Sequence, residues 1–283
     1  MVETYDIYED RDPTQYTEGG KHTVRQHIVK EVPLTIMLNG KELATLLCSP
    51  HSFELLALGF LVNEGMLQHR DELKSIAYRP EQGAVCVETT TSGPARTWPC
   101  CACAGLRDWA KTTTGGAART DDFLKRYYGK RGPLPHFPND EEQIQPAHMT
   151  HFTLTELLGF ATRLNEEAYT FKLTGGVHEA ALAHREGFVV SYEDVGRHNA
   201  LDRVLGYTFL NDIDTSDKAV ILSGRIASEM LAKVARIGVP VVVSRKAPTS
   251  LSIAMAEQLG ITLVAFARGN SLSVYTHPDR VLE

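Results

Sequence analysis

The residues in this sequence best suited to chemistry are two cysteines, Cys100 and Cys103, which form a Cys-x-x-Cys pair. They lie in the segment 98–105, which holds three of the five cysteines of the chain. A thiolate is a strong nucleophile, and in Cys-x-x-Cys settings the thiol pKa falls from about 8.5 to roughly 3.5–7.5. An exposed pair of this kind is reactive near neutral pH, so the spacing predicts sulfur chemistry at Cys100 and Cys103.

Small and polar residues flank the cysteine pair on both sides. Residues 89–94 read Thr-Thr-Thr-Ser-Gly-Pro, and residues 112–118 read Thr-Thr-Thr-Gly-Gly-Ala-Ala. Such a composition favours a mobile loop over a packed element. A thiol pair on a loop of this kind is suited to carrying a chemical group from one site to another.

Two structural alternatives stay open for the pair. A structural zinc site normally takes four ligands, often from two Cys-x-x-Cys pairs, whereas this chain has one such pair and scattered histidines. A lasting disulfide is disfavoured by the odd number of cysteines and the absence of a secretory signal, because persistent disulfides are rare in reducing compartments. Sulfur chemistry therefore explains the pattern better than either alternative.

A third alternative comes from the signature of the zinc deaminases. The run Pro99-Cys100-x-x-Cys103 matches its Pro-Cys-x-x-Cys part, whose other part is His-x-Glu. In this chain Glu179 directly follows His178, so the spacing differs, and the two parts stand in reverse order. Zinc-dependent deamination is the weakest of the interpretations.

Composition narrows the class of protein. The chain has 283 residues, of which 43% are hydrophobic and 23% charged, as in an ordinary globular protein with a sizeable core. Its net charge of −6 argues against non-specific nucleic-acid binding. The acidic start lacks the pattern of a signal peptide, and no apolar run approaches the ~18 residues of a membrane span. These features predict a cytoplasmic protein with no nucleic-acid or membrane partner.

The first half of the chain is predicted to be rich in β-structure. Residues 1–26 are polar and charged, which predicts a loose tail or an added edge strand. A β-rich N-terminal region over residues 27–150 follows, and it includes the mobile cysteine loop. Its first hairpin, over residues 33–47, turns at Asn39-Gly40, the strongest short hairpin signal.

The remainder of this N-terminal region is predicted as a buried helix and a second hairpin. Ser49-Pro50 resembles a helix start, and the apolar residues that follow surround the helix on nearly all sides, so it must be buried. Strands at 75–78 and 84–88 form the second hairpin and lead into the cysteine loop. Cys48 and Cys86 are expected in the core.

Residues 151–283 are predicted to form an α/β domain. The capping box Thr153-x-x-Glu156 begins a helix at its start. Apolar strands at 219–222, 239–243 and 261–266 then alternate with helical segments, which is typical of βαβ units and a parallel sheet covered on both faces. The fold class predicted from the residues is therefore α/β with a β-rich N-terminal region.

Cations follow the strands of this domain. The segments that follow the three apolar strands read Ser223-Gly224-Arg225, Ser244-Arg245-Lys246 and Arg268-Gly269-Asn270-Ser271. Ligands of open α/β sheets bind beyond the carboxyl ends of the strands, and arginine binds phosphate oxygens bidentately. The three segments predict a site for a polyphosphate or nucleotide.

Arg197 and His198 extend this prediction. They fall in the first turn of a predicted helix, where exposed N–H groups and the helix dipole favour an anion. Cations at this end of a helix are unfavourable unless they meet a negative group. We therefore expect Arg197 and His198 to share the anion site.

Taken together, these motifs resemble those of the formate dehydrogenase accessory sulfurtransferase family, FdhD/NarQ. The resemblance extends over roughly residues 33–280. It is carried by Cys100-x-x-Cys103, Thr174-Gly175-Gly176-Val177-His178, Glu193-Asp194-Val195-Gly196-Arg197-His198-Asn199-Ala200-x-Asp202, Ser223-Gly224-Arg225, Ala247-Pro248-Thr249 and Val274-Tyr275-Thr276-x-Pro278.

The resemblance implies a function and a set of partners. It implies a cytosolic, homodimeric carrier that takes sulfur from a cysteine desulfurase as a persulfide. The carrier passes this sulfur to the molybdenum of the bis-molybdopterin guanine dinucleotide cofactor, which is needed for formate dehydrogenase activity. The fold would be a cytidine-deaminase-like α/β sandwich, and no resident metal is implied.

The resemblance also assigns roles to particular residues. Cys100 would carry the persulfide, with Cys103 as its partner thiol. The segment implied to bind the cofactor, including the guanine nucleotide portion, consists of Phe266, Ala267, Arg268, Gly269, Asn270 and Ser271. A non-catalytic cofactor chaperone, in which the cysteines only contact the pterin sulfurs, is the alternative function.

This sequence departs from the family pattern near the cysteines. The family loop usually reads Cys-Gly-x-Cys-Gly, whereas Cys101 and Ala104 stand at the glycine positions here. Cys101 therefore adds a second candidate for the persulfide. The small and basic residues of the 266–271 segment also differ in order from the commoner Lys-Pro-Gly-Arg type.

Overall fold

The structure, a computed structural model, describes residues 7–90 and 150–283. The described chain begins with a two-part β-ribbon, in which β1 (Tyr8–Arg11) pairs with β4 (Gln26–Val29), and β2 (Thr14–Thr17) pairs with β3 (Gly20–Thr23). The expectation of a loose tail or an added edge strand is wrong for this part, because the chain pairs with itself.

Cross-strand contacts explain why this polar sequence is ordered. Asp10 of β1 accepts hydrogen bonds from Arg25 and His27, and the rings of Tyr8 and His27 meet edge to face at 4.7 Å. Cross-strand pairs of opposite charge and of aromatic rings are the contacts that stabilise a two-stranded ribbon. Hydrophobicity alone gave no sign of them.

A four-stranded sheet follows, made of β5 (Val32–Leu38), β6 (Lys41–Cys48), β7 (Leu73–Arg79) and β8 (Ala84–Thr89). Its order is β6-β5-β8-β7, with β5 and β8 parallel and the other pairs antiparallel. Asn39 and Gly40 both have positive φ, 49° and 75°, as a tight hairpin turn requires. Both predicted hairpins are confirmed.

The first helix, α1 (Phe53–Asn63), is buried on nearly all sides as predicted, but it begins later than Ser49-Pro50 indicates. Ser52 is its N-cap residue. The backbone N–H of Ser49 is instead donated to the carboxylate of Asp194, 3.0 Å away. A tertiary hydrogen bond has replaced the local cap, and this moves the helix start.

The second half of the described chain contains the main sheet and five helices. The strands are β10 (His178–His184), β11 (Gly187–Asp194), β12 (Ala219–Leu222), β13 (Val241–Ser244), β14 (Thr262–Arg268) and β15 (Ser271–Val274). The helices are α2 (Leu154–Glu167), α3 (Tyr169–Thr174), α4 (Arg197–Leu210), α5 (Ser228–Ile237) and α6 (Ser250–Gln258). A short parallel pair, β9 (Phe152–Thr153) with β16 (Val281–Leu282), lies beside them.

The main sheet has the order β11-β10-β12-β13-β14-β15. Its central strands β12, β13 and β14 are adjacent and parallel, which confirms the predicted βαβ units. The outer strands run antiparallel, so the sheet is mixed. One face packs on α2, and the other on α4, α5 and α6, so both faces are covered, and the predicted α/β class is confirmed.

The two halves of the described chain share one hydrophobic core. The larger buried cluster runs from Leu34 and Leu56 of the first half to Leu201 and Leu263 of the second. The helices α1 and α4 approach closely enough that a methyl group on Gly206 would lie 2.0 Å from the carbonyl oxygen of Leu55. No helix in residues 7–90 and 150–283 is long and apolar enough to cross a membrane.

This close approach predicts a large effect of one added methyl group. We expect Gly206→Ala to lower the free energy of unfolding by about 1–3 kcal/mol or more, because the backbone of α1 has to move. The matched control is Gly159→Ala in α2, where a methyl group would meet nothing within 4 Å. It should stabilise the protein by about 0.5–1 kcal/mol through helix propensity. Chemical denaturation of both variants measures the difference, and an equal effect of the two changes would contradict the packing described.

Candidate functional site

The carboxyl ends of β12, β13 and β14 lie at one edge of the main sheet and are tied together by hydrogen bonds. The Ser244 hydroxyl donates to the carbonyl of Gly224 at 2.6 Å and accepts from the backbone N–H of Lys246 at 3.0 Å. The N–H of Phe266 in turn donates to the carbonyl of Lys246 at 3.3 Å. The three segments that sequence analysis singled out therefore form one continuous edge, which we call the cationic edge (residues 223–226, 244–249 and 266–271).

The arginines of this edge are available to a ligand. Arg225 and Arg268 are exposed. In the part of the chain that the structure describes, neither of them forms an ion pair with a carboxylate. Arg268 lies 6.0 Å from the centre of the Phe266 ring, within cation–π range. Within the described residues, Arg225 and Arg268 therefore do not link the two halves by ion pairs.

The segment 266–271 forms the hairpin between β14 and β15. Phe266 has a φ of 53° and Gly269 a φ of 61°, and the register of the two strands shifts between Ala265 and Arg268. Ala267 is fully buried, so it presents no surface to a ligand, and the direct contact that the resemblance implied for it is not possible in this structure. Arg268, Gly269, Asn270 and Ser271 are exposed.

Arg197 and His198 lie at the first two positions of α4, as predicted. The side chain of Arg197 extends toward Gly224, since a methyl group on Gly224 would lie 3.6 Å from its Cδ. Its Nε is buried and has no hydrogen-bond partner among the described residues. The side chain of Arg197 therefore lies beside the end of β12, near the segment that carries Arg225.

His198 is held by a carboxylate from the neighbouring helix. Its Nε2 lies 3.2 Å from Glu229 of α5, and this hydrogen bond lowers the pKa of Glu229. One turn further along both helices, Lys233 donates to Asp202 at 2.5 Å, and both side chains are buried. The two pairs fix α4 against α5 and fix the imidazole of His198 at the cationic edge.

His178 lies next to this edge, and sequence reasoning assigned it no role there. It begins β10, and its Nδ1 would lie 3.5 Å from a methyl group on Gly224, the same point that Arg197 approaches. Burial lowers the pKa of His178, and the nearby charges of Arg197 and His198 lower it further. The motif Thr174-Gly175-Gly176-Val177-His178 was the available signal, but the motif alone does not show what the imidazole faces.

The start of α4 is fixed by a buried ion pair between Asp194 and Arg203. Asp194 also accepts hydrogen bonds from the N–H of Gly196 at 2.7 Å and from Asn199 Nδ2 at 2.8 Å. Arg203 donates to the carbonyls of Ser49 and His51, both at 3.0 Å. The first half of the chain therefore contributes directly to the position of the α4 N-terminus.

The carboxyl group of Glu179 lies behind the edge, on the other face of the sheet. The residue is 5% exposed, and its Oε2 has no hydrogen-bond partner within residues 7–90 and 150–283. Burial, together with the nearby Glu193 and Glu167, raises the pKa of Glu179 to about 8. Its backbone pairs with Ser223, so β10, the neighbour of β12, carries next to the cationic edge a carboxyl group that is protonated at neutral pH.

The cysteines predicted to do chemistry, Cys100 and Cys103, lie outside the described residues, as does Cys101. Of the other two, Cys48 is in the core as predicted, and burial raises the pKa of its thiol to about 12. Cys86 is only partly buried. Among the described residues, no group of three or more His, Cys, Asp or Glu side chains is placed to hold a metal ion.

The fold and this edge define a class of protein: a mixed α/β protein with exposed cations at the carboxyl ends of its parallel strands. Comparison with known proteins identifies the family. The model of the FdhD/NarQ family matches residues 29–282, so the chain belongs to that family, and the resemblance noted in its motifs is confirmed.

Several relatives share the full length of the chain. Sulfur carrier protein FdhD of Staphylococcus aureus (strain MRSA252) is 36% identical over 271 residues, which are 95% of this chain and 94% of that protein. Sulfur carrier protein FdhD of Bacillus pumilus (strain SAFR-032) is 35% identical over 273 residues, 95% of each protein. The crystal structure of a protein of Desulfotalea psychrophila, described as a formate dehydrogenase accessory protein, has a TM-score of 0.77 and 26% identity, and it covers 98% of this chain and 100% of that chain.

The raised pKa of Glu179 predicts how stability depends on pH. The folded protein keeps a proton on Glu179 up to about pH 8, whereas a carboxyl group in the unfolded chain loses it near its ordinary value of 4.5. Unfolding therefore becomes easier as the pH rises through this window. We expect Glu179→Gln, which stays neutral, to gain stability over the wild type between pH 5 and pH 8, on the order of a few kcal/mol.

Thermal unfolding of both proteins across this pH range measures the effect. Glu166→Gln, which removes an exposed carboxylate from α2, is the matched control and should run parallel to the wild type. If the Glu179→Gln curve also ran parallel to the wild type, Glu179 would not hold its proton in the folded state.

Proposed function

We propose that this protein is a sulfur carrier that serves the maturation of formate dehydrogenase. The observation that carries the proposal is membership of the FdhD/NarQ family over residues 29–282, a range that includes Cys100 and Cys103. The two curated relatives above are named as sulfur carriers, and each aligns with 95% of this chain. The structural relative is described as a formate dehydrogenase accessory protein.

The proposed chemistry begins with a persulfide on a cysteine desulfurase. The thiolate of Cys100 attacks the outer sulfur of that persulfide, so a sulfur–sulfur bond forms at Cys100 and the desulfurase cysteine leaves as a thiolate. Cys103 then acts as the resolving thiol. Its attack on the Cys100 sulfur forms a disulfide and releases the outer sulfur at the oxidation level of sulfide, while the two thiols are oxidised.

The acceptor in this proposal is the molybdenum of bis-molybdopterin guanine dinucleotide, bound as a client and not as a resident cofactor. The cationic edge supports this part of the proposal, because Arg197, Arg225 and Arg268 lie there without carboxylate partners among the described residues. A pyrophosphate would neutralise these charges. The segment 266–271, with its exposed turn, is proposed to contact the guanine nucleotide portion.

The role of Cys100 is tested by measuring whether the protein gains a persulfide at this residue. After incubation with a cysteine desulfurase and free cysteine, we expect the wild type to gain a sulfur adduct and Cys100→Ala to lose most of it. Cys86→Ala is the control, since it removes another thiol from a partly buried strand position. Mass spectrometry of the intact proteins gives the answer.

Three outcomes distinguish the alternatives. An adduct at the wild-type level in Cys100→Ala would contradict the assignment. If that adduct vanished in Cys101→Ala, Cys101 would be the carrier. If Cys100→Ala still bound bis-molybdopterin guanine dinucleotide and still activated formate dehydrogenase, the protein would instead be a chaperone for this cofactor.

The anion site is tested by the affinity for GDP, a fragment of the proposed ligand. We expect Arg268→Ala to weaken GDP binding by roughly tenfold to a hundredfold, since a hydrogen bond to a charged group contributes about 1.5–3 kcal/mol. Binding should also weaken with added salt. Arg79→Ala, which removes an exposed arginine from the four-stranded sheet, is the charge-matched control.

Isothermal titration calorimetry of the three proteins measures the affinities. If Arg268→Ala bound GDP as tightly as the wild type and melted at a lower temperature, Arg268 would have a structural role and the cationic edge would lose its central support.

A further inference from the structure

We infer that His178 contacts the phosphates of the ligand at the cationic edge and takes up a proton when they bind. This inference rests on the proposed binding of a pyrophosphate-bearing ligand, and it assigns a role to a residue outside the 266–271 segment. It makes the affinity of the protein for its ligand depend on pH.

The backbone places His178 directly at the edge. In the antiparallel pair of β10 with β12, Ala180 lies opposite Leu222, so the continuation of the two strands brings His178 beside Gly224. Glu179 and Ser223 fix this continuation, since the N–H of Glu179 donates to Ser223 Oγ at 2.8 Å and the N–H of Ser223 donates to the Glu179 carbonyl at 3.0 Å. These two hydrogen bonds between the strands fix the backbone from which the His178 side chain extends.

Gly224 brings His178 and Arg197 close to the same point. A methyl group built on Gly224, which is itself buried, would lie 3.5 Å from His178 Nδ1 and 3.6 Å from Arg197 Cδ. His178 and Arg197 are both only partly buried. A phosphate bound beside these two residues would therefore meet an imidazole and a guanidinium group.

The ring of His178 is free to make such a contact. Among the described residues, neither of its ring nitrogens has a hydrogen-bond partner, and the side chain is only partly buried. A neutral imidazole can donate one hydrogen bond, and a protonated one can donate two. The second proton would therefore strengthen the contact with an anion.

The charges that face His178 decide its protonation state. Arg197 and His198 of α4 are the nearby cations, and Asp194 at the end of β11 is the nearby anion. Burial and the two cations keep the pKa of His178 below its ordinary value of 6.5, and Asp194 offsets this only in part. A bound pyrophosphate adds negative charge on the other side of the ring, so it raises the pKa and draws a proton from the solvent.

The direction of the pH effect follows from this linkage. A ligand that raises the pKa of a group binds more tightly as the pH falls toward the pKa of the free protein. The affinity should rise from pH 8 to pH 6, by up to about tenfold for each unit by which the phosphates raise the pKa of His178.

GDP-mannose is the probe for this experiment, because both of its phosphates are esterified and neither titrates between pH 6 and pH 8. Calorimetry in two buffers of different ionisation enthalpy measures how many protons the protein takes up for each molecule of GDP-mannose bound. We expect the wild type to take up a fraction of a proton near pH 6.5. His178→Asn should bind with no uptake and with an affinity that is nearly independent of pH.

A control variant locates the proton. His184→Asn removes a histidine from the other end of β10, where it pairs with Asp217, and should behave as the wild type does. If His178→Asn kept the proton uptake, or if His184→Asn lost it, the inference would be overturned.

The failure of the inference differs from the failure of the proposed function. A wild type that binds GDP-mannose with a flat pH profile would overturn the role of His178 and leave the cationic edge intact. A wild type that binds neither GDP nor GDP-mannose would overturn both.

Discussion

The buried ion pair of Asp194 with Arg203 is the interaction on which the arrangement of this protein depends. Both side chains are fully buried. Some of their hydrogen bonds connect them to Ser49 and His51, 145 to 154 positions earlier in the sequence, and the others lie at the start of α4. Removal of one partner from such a pair costs about 3–5 kcal/mol, because the other charge is left buried and unpaired. The carboxylate satisfies the N–H groups of Ser49 and Gly196, and the guanidinium group satisfies carbonyls of the first half.

The same pair explains how cations can be placed at the positive end of a helix. The carboxylate of Asp194 occupies the N-terminal region of α4 and meets its N–H groups and Asn199. Glu229 supplies a second carboxylate, which is held by His198. Arg197 forms no ion pair among the described residues, so its charge remains for a ligand to neutralise. Ion pairs and hydrogen bonds therefore neutralise most of the charged groups at the start of α4, and the charge of Arg197 remains.

Local signals in the sequence predicted most of the elements but few of their contacts. Asn39-Gly40 and the capping box at Thr153 act within a few residues, so the hairpin and the helix they indicate are present, as is the βαβ alternation. The start of α1 was predicted wrongly, because Ser49 is bonded to a residue 145 positions away. The ordered ribbon depends on cross-strand pairs of polar residues, which hydrophobic patterns do not report.

The candidate site, like the fold, could be predicted only in part from the sequence. The strand ends with Arg225 and Arg268, and the helix start with Arg197, followed from alternation and the rule that ligands bind at carboxyl ends. The place of His178 beside Gly224 did not follow, since it depends on the antiparallel register of β10 against β12. No periodicity within a single segment specifies that register.

The shared core of the two halves also has a consequence for biosynthesis. The helix α1 is apolar on nearly all sides, and its main packing partner, α4, begins at Arg197. At a translation rate of about 5–20 residues per second, the 145 positions from Ser49 to Asp194 take roughly 7–30 s to synthesise. During that interval α1 can pack only on the strands of the first half, and the surface that α4 covers stays exposed. The nascent chain therefore presents an apolar helix surface for many seconds, a state in which a chaperone would protect it from aggregation.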